Sequence, residues 1–166
     1  MPMFRVDPAP VLVLLAKLRD DPSEYVRRSV ANNLNDIAKD HPAVVVATAR
    51  QWWDGGSPER RTLVRHGLRT LVKQGDAGAL GVLGFATDPQ VAVTLKLSTR
   101  SLRIGESLEL ALVVQSTGSN TQKLVVDYVV HHQRANGRLT AKVFKWRNMD
   151  LSAGSEVRLV KKHSFV

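Results

Sequence analysis

Residues 24–39 read EYVRRSVANNLNDIAK, and the spacing of their apolar and polar side chains predicts a helix. At 100° per residue, the two kinds of side chain fall on opposite faces. The apolar face holds Val26, Val30, Leu34 and Ile37. The polar face holds Arg28, Asn32, Asn35, Asp36 and Lys39. We therefore predict an amphipathic helix that packs against a neighbour through its apolar face.

On both sides of this segment, helical spacing of apolar residues extends over the first half of the chain. We predict further helices at about Pro8–Arg19, Pro42–Trp53 and Ser57–Gly75, and a short one over Asp76–Leu83. Ser23 and Ser57 are expected to cap the two helices that follow them. The second and fourth helices also share a pattern, since Val26, Val30 and Leu34 recur 38 positions later as Val64, Leu68 and Val72. A period near 40 residues, built from helix pairs, is typical of HEAT-like repeats.

From about residue 89 the spacing changes to the alternation that predicts β-strands. Five alternating sets follow, centred on Val93, Leu110, Val126, Ala141 and Leu159, and Asn136-Gly137 predicts a hairpin turn. A complete immunoglobulin sandwich has about seven strands, so five indicate an incomplete one. The predicted class is α+β, with helical HEAT-like repeats over residues 1–86 and an immunoglobulin-like β-sandwich over residues 89–166.

The charge of the chain restricts the classes of partner. Lys and Arg number 24 and Asp and Glu 15, giving a net charge of +9. The residues before Asp88 contain 12 basic and 9 acidic residues, and those from Asp88 onward contain 12 and 6. A surface this basic attracts polyanions, of which nucleic acid is the usual one, although ribosome contacts, anionic membranes and solubility also fit. The chain has no cysteine, which excludes disulfides and cysteine zinc sites and favours a reducing cytoplasm.

Two polar helix faces and one aromatic pair are the candidate functional features. The fourth helix presents Arg65, His66, Arg69 and Lys73 on one arc without an acidic residue, which favours phosphate contact. The polar face of the second helix fits the same role, but its pattern alone favours a solvated face with i,i+4 pairs. Trp52-Trp53 could stack on a base or pack in the core, and core packing is the commoner use.

The sequence lacks the signature motifs of several enzyme classes. The chain has no P-loop, dinucleotide glycine motif, His-Glu-x-x-His helix or Gly-x-Ser-x-Gly elbow. His131 and His132 are adjacent, so on a strand they point to opposite faces and do not chelate one metal. No apolar run reaches the roughly 20 residues of a membrane span. We therefore expect no metal site, no cofactor and no membrane segment.

Two helical segments carry a resemblance to a known family. Residues 23–42, SEYVRRSVANNLNDIAKDHP, and residues 65–76, RHGLRTLVKQGD, resemble the AlkC branch of the HEAT-like-repeat DNA alkylation repair glycosylases. Residues 126–132, VDYVVHH, and 142–146, KVFKW, are similar to the immunoglobulin-like domain of that family. The resemblance covers nearly the whole chain. Family members are about twice as long, so the chain is expected to correspond to a C-terminal portion.

The resemblance implies a DNA repair function. It implies a hydrolase that binds duplex DNA carrying alkylated bases and excises N-alkylated, cationic bases by hydrolysis of the N-glycosidic bond. Asp36 is the residue that takes over the catalytic carboxylate role. The DNA-contacting residues implied are Arg28, Asn32, Lys39, Arg65, His66, Arg69 and Lys73. A monomer in the bacterial cytoplasm, associated with the nucleoid, is expected.

Two other functions compete with excision. The chain could bind DNA without catalysis, because the resemblance places other active-site glutamates and aromatics of the family in helices before the matching segment. It could also be a helical-repeat scaffold for protein partners, which would require a large apolar patch on the concave face. The polar faces of the second and fourth helices argue against the scaffold.

Overall fold

The computed structural model describes residues 5–165 and confirms the α+β class. Six helices lie between Ala9 and Val82: α1 (Ala9–Leu18), α2 (Glu24–Ile37), α3 (Pro42–Trp53), α4 (Pro58–Gly67), α5 (Arg69–Lys73) and α6 (Ala77–Val82). Five strands follow: β1 (Val91–Leu97), β2 (Ser107–Ser116), β3 (Gln122–Gln133), β4 (Leu139–Leu151) and β5 (Glu156–Ser164). The chain separates between Thr87 and Asp88 into two compact parts, here called the helical unit and the β unit.

The helical unit is held together by the predicted apolar faces. Val30 and Leu34 of α2 are buried, and so are Val64 of α4 and Leu68, the residue that follows it. Trp52, at the end of α3, is the largest side chain in this core and is 2% exposed. Burial of these faces lets short helices persist, since helices of 10 to 14 residues are marginal alone in water.

The predicted fourth helix is interrupted, and α2 supplies the physical reason. Leu68 adopts φ −88° and ψ 1°, which ends α4 and lets α5 begin at Arg69. A Cβ on Gly67 would lie 3.2 Å from Leu34 Cβ, so glycine permits the close approach of α4 to α2. The Asn35 side chain then accepts a hydrogen bond at 3.2 Å from the Thr70 amide, in the first turn of α5.

Asn35 corrects the predicted polar face of α2. We placed it among the solvent-facing residues, but its side chain is 4% exposed and bonds α5. The periodicity of α2 places Asn35 on the same face as Arg28. It carries no information about α5, which packs at this part of the face.

Asn35→Ala is expected to destabilise the helical unit by about 1–3 kcal/mol, because it leaves a partly buried amide without an acceptor. Asn33→Ala is the matched control on the same helix. Asn33 is exposed and donates to the Ser29 carbonyl at 3.0 Å, so its loss should cost within about 0.5 kcal/mol. Urea unfolding followed by circular dichroism at 222 nm measures both. Equal midpoints for the two variants would show that the Thr70 bond does not matter for stability.

One predicted cap is confirmed and one is wrong. The Ser57 hydroxyl accepts a hydrogen bond from the Arg60 amide at 3.2 Å. Ser23 precedes α2 in an extended conformation, but its side chain forms no capping bond. The loop before α2 is instead held by Arg27, whose Nη1 donates to the carbonyls of Asp21 at 2.6 Å and Pro22 at 2.8 Å.

The β unit consists of two antiparallel sheets. Sheet A has the order β1-β2-β5, and sheet B consists of β3 and β4. The hairpin between β3 and β4 contains Gly137 at φ +78°, a conformation that glycine adopts without a steric penalty, so the predicted turn is confirmed. The inner face of β2 is buried through Leu110, Leu112 and Val114.

Two further observations apply to residues 5–165. None of their helices has the length and apolar character that crossing a membrane requires. No group of three or more His, Asp or Glu side chains in this range is arranged to hold a metal ion.

Candidate nucleic-acid interface

Helices α2 and α4 bring two predicted DNA-binding residues into direct contact. The His66 ring donates from Nε2 to Asn32 Oδ1 at 3.0 Å, a bond that joins positions 34 residues apart in sequence. Arg69 is held beside them, because its Nη1 donates to the His66 carbonyl at 2.8 Å. That carbonyl lies at the end of α4, where helix carbonyls lack intrahelical donors and favour a cation. The side chains of His66 and Arg69 are therefore both held in place by hydrogen bonds.

Arg28 and His66 share a cleft of about 360 Å³ between α2 and α4. Arg27, Glu24 and Glu59 also line it, so cations and carboxylates meet in one concavity. Arg28 is exposed and extends from α2 on the same side as Asn32. A phosphate oxygen can therefore approach Arg28 and His66 together. We name Arg28, Asn32, His66 and Arg69 the cation cluster.

Burial and the neighbouring positive charges change the pKa of His66. Burial lowers the pKa of its imidazole below the usual value, and the positive charges of Arg69 and Arg28 lower that pKa further. These effects favour the neutral form of the ring. With Nε2–H donated to Asn32, Nδ1 is the atom that gains a proton, so protonation need not break the Asn32 bond.

Asp36 and Lys39 form a separate ion pair on α2 and the turn after it. Lys39 Nζ lies 2.7 Å from Asp36 Oδ1, and the Asp36 side chain is 67% exposed. Both residues line a second concavity, of about 690 Å³, with Arg5, Asp40 and His41. The structure thus places the predicted carboxylate on the accessible surface and outside the cleft that holds Arg28 and His66.

Arg65 lies against an aromatic ring. Its guanidinium carbon is 5.1 Å from the Trp53 ring centre, and that of Arg61 is 5.5 Å from the same ring. Trp53 is half-buried beneath the two arginines, whereas Trp52 is in the core and beyond the reach of a base. Arg61 was not among the predicted contacts, although its position one helical turn before Arg65 was a readable signal. Lys73 is exposed at the end of α5.

Comparison with known proteins shows which proteins the two units resemble. Residues 91–166 match a family described as "Uncharacterised protein YhaZ, C-terminal Ig-like domain". The chain is 40% identical over 146 residues to the uncharacterised protein YhaZ of Bacillus subtilis, covering 87% of this chain and 40% of that protein. A Pseudomonas fluorescens alkylpurine DNA glycosylase AlkC, solved bound to DNA containing an abasic site analog, superimposes with a TM-score of 0.92 at 35% identity. That superposition covers 99% of this chain and 46% of AlkC.

The chain is similar to AlkC over 99% of its length. The resemblance inferred from residues 23–42 and 65–76 is therefore confirmed, as is the immunoglobulin-like character of the second half. The chain spans less than half the length of both YhaZ and AlkC. The matched structure extends across both units, so the likeness is not limited to the helices.

Proposed function

We propose that this chain acts in DNA alkylation repair, binding duplex DNA through the helical unit as part of a glycosylase that excises N-alkylated, cationic bases. The observation that carries the proposal is the superposition on a DNA-bound AlkC over 99% of the chain at 35% identity. The cation cluster supplies the physical means. Arginine guanidiniums meet phosphate oxygens with charge-assisted hydrogen bonds, and the His66 imidazole adds such a bond when Nδ1 is protonated.

The phosphate-contacting residues are proposed to be those of the cluster together with Arg65, Lys39 and Lys73. Arg69 is pre-positioned by the His66 carbonyl, and Arg65 by the Trp53 ring, so little side-chain entropy is lost when phosphate binds. Phosphate contacts fix the register of a duplex without reading its sequence, so affinity should depend little on base order.

Asp36 is proposed as the carboxylate that stabilises positive charge developing on the deoxyribose. In the free chain Lys39 neutralises it at 2.7 Å. A DNA phosphate that attracts Lys39 would release the Asp36 carboxylate to act on the sugar or on an attacking water. A cationic base is already a good leaving group, so one carboxylate could provide much of the remaining stabilisation.

The direct test is base release from methylated duplex DNA by this chain, with duplex binding followed in parallel across salt concentration. Release of methylated base together with salt-sensitive binding is the expected result, since each phosphate contact releases counterions. Salt-sensitive binding without release would favour the second candidate, a DNA-binding portion without catalysis, which the partial coverage of AlkC supports. No binding at low salt would exclude both and leave the protein scaffold.

His66 makes duplex affinity depend on pH. In the free chain burial lowers the pKa of His66 most, and the charges of Arg69 and Arg28 lower it further. A bound phosphate neutralises these two charges, so the pKa is expected to rise on binding. A group whose pKa is higher in the complex adds affinity that is fully present below the free-chain pKa and is lost as pH rises through the bound-state pKa. We therefore expect binding to strengthen as pH falls below neutrality.

The pH test uses His66→Gln, which keeps a donor for Asn32 but does not titrate. Fluorescence anisotropy with a labelled duplex between pH 5 and 8 at constant ionic strength measures the slope. The slope of log Kd against pH should be smaller in the variant than in the wild type, by about one proton taken up on binding. His132→Gln, at an exposed position of β3 in the β unit, is the control and should keep the wild-type slope. An unchanged slope in His66→Gln would remove His66 from the phosphate site.

A further inference from the structure

The three arginines of α4 differ in what balances their charge. Arg60 is paired with a carboxylate, since its Nε donates to Asp20 Oδ1 at 2.6 Å and its Nη2 donates to the other oxygen of the same group. Arg61 and Arg65 are exposed, and neither forms an ion pair with any carboxylate among residues 5–165. That range includes Asp54, which directly precedes the loop to α4. Two of the three positive charges are therefore available to an external anion.

A single indole ring holds both of these guanidiniums. The guanidinium carbons of Arg61 and Arg65 lie 5.5 and 5.1 Å from the centre of the Trp53 ring. The two arginines are four residues apart, a spacing at which like charges on a helix repel each other. Attraction of each cation to the ring opposes that repulsion and keeps the two side chains together. A bound anion would remove the repulsion.

This pair is separate from the cation cluster. Thr62 and His66 line the cleft between α2 and α4, whereas Arg61 and Arg65 contact Trp53 at the end of α3. Successive residues are about 100° apart around a helix, so the two pairs form neighbouring ridges of α4 that point in different directions. The two ridges therefore suit different phosphates of one bound duplex.

We propose that Arg61 and Arg65, held on Trp53, form a second phosphate-binding site of the helical unit, which takes a backbone phosphate of duplex DNA. The inference rests on the proposed function and adds Arg61 to the residues that contact DNA. The planar guanidinium presents two donors to two phosphate oxygens. Contact with the ring orients both guanidiniums before the phosphate arrives, so less side-chain entropy is lost on binding. Trp53 is thus a positioning residue.

Arg61→Gln in the complete 166-residue chain tests the site. Fluorescence anisotropy with a labelled duplex measures Kd across salt concentration. We expect Kd to rise at least about fivefold at low salt, and the slope of log Kd against log salt to fall by about one. Arg50→Gln is the matched control, because Arg50 is an exposed arginine of α3 that does not lie over the Trp53 ring. Its Kd should stay within about twofold of the wild type.

A titration with inorganic phosphate separates a phosphate site from a ring contact that only stabilises the fold. The Trp53 indole N–H resonance is followed in two-dimensional NMR spectra at constant ionic strength, and its assignment comes from Trp53→Phe. We expect a saturable shift in the wild type and in Arg50→Gln, and no such shift in Arg61→Gln. Chloride at the same ionic strength should not produce it.

Two substitutions of Trp53 test the positioning role. Trp53→Phe keeps an aromatic face, whereas Trp53→Leu keeps apolar bulk without one. Duplex binding should weaken at least about threefold in Trp53→Leu and stay within about twofold in Trp53→Phe. Equal affinities of the two variants would show that the ring does not position the arginines.

The outcomes distinguish this inference from the proposed function. If the wild type binds the duplex and Arg61→Gln binds it equally well, the second site is wrong and the proposed function stands. Equal weakening in Arg61→Gln and Arg50→Gln would also overturn the site, because the effect would come from net charge. Absence of duplex binding by the wild type would overturn the proposed function and the duplex as the ligand. The phosphate titration would then still decide whether Arg61 and Arg65 bind phosphate.

Discussion

Asp36→Asn is expected to lower the rate of base release from alkylated DNA by about 100-fold or more while duplex affinity stays equal or rises. The amide has nearly the same shape as the carboxylate but carries no negative charge to oppose the cation that develops on the sugar. It also removes a negative charge beside DNA phosphates and frees Lys39, now 2.7 Å from Asp36, to contact them. Single-turnover release with the chain in excess separates the chemical step from binding.

Asp40→Asn is the matched control for that experiment. Asp40 is also an ion-paired carboxylate, held by Arg5 at 3.0 Å, and it lines the same concavity as Asp36. Loss of an exposed ion pair costs about 0–1 kcal/mol, so this variant should release base at nearly the wild-type rate. If both variants slow release equally, the effect comes from the general charge of this surface. If Asp36→Asn releases base at the wild-type rate, Asp36 is not the catalytic carboxylate.

Trp52→Ala is expected to destabilise the helical unit by about 3–5 kcal/mol, enough to unfold much of it at 37 °C. Trp52 is the largest fully buried side chain of the unit, so its removal creates a cavity in the apolar core of the helical unit. Chemical unfolding monitored by circular dichroism measures the change. The β unit, which has a separate set of contacts, provides an internal signal that should not shift.

Trp53→Ala distinguishes the two neighbouring indoles. Trp53 is half-buried and covered by Arg61 and Arg65 at 5.5 and 5.1 Å from the ring centre. We expect a loss of about 1–2 kcal/mol, from partial burial and two exposed cation–π contacts. Duplex affinity should fall modestly, because Arg65 loses its support while keeping its charge. A stability loss as large as that of Trp52→Ala would show that both rings serve the core.

Much of the fold follows from local spacing. Period 3.6 in residues 24–37 and period 2 in residues 91–97 correspond to α2 and β1 in the structure. The Asn136-Gly137 turn depends on a backbone conformation that glycine allows, and it joins β3 to β4 as expected. These features were predictable because each depends on residues within one turn or one strand.

The interruption of the fourth predicted helix was not predictable in this way. Its residues favour one continuous helix, and Leu68 breaks it because α2 approaches at Gly67 and Asn35 bonds the Thr70 amide. Asn35 lies 35 positions from Thr70, so no stretch as short as one helix contains both residues. The His66–Asn32 bond and the contact of Arg65 with Trp53 are hidden for the same reason.

By itself, the sequence determined the α+β order of elements, the apolar face of each helix, the basic charge and the AlkC resemblance of residues 23–42 and 65–76. Only the tertiary structure decided that Asn35 is buried, that His66 joins Asn32, that Asp36 is paired with Lys39 on an exposed surface, and that Arg61 and Arg65 share the Trp53 ring. The physical reason is that periodicity assigns side chains to faces, whereas burial and pairing depend on which face of which distant element arrives opposite them.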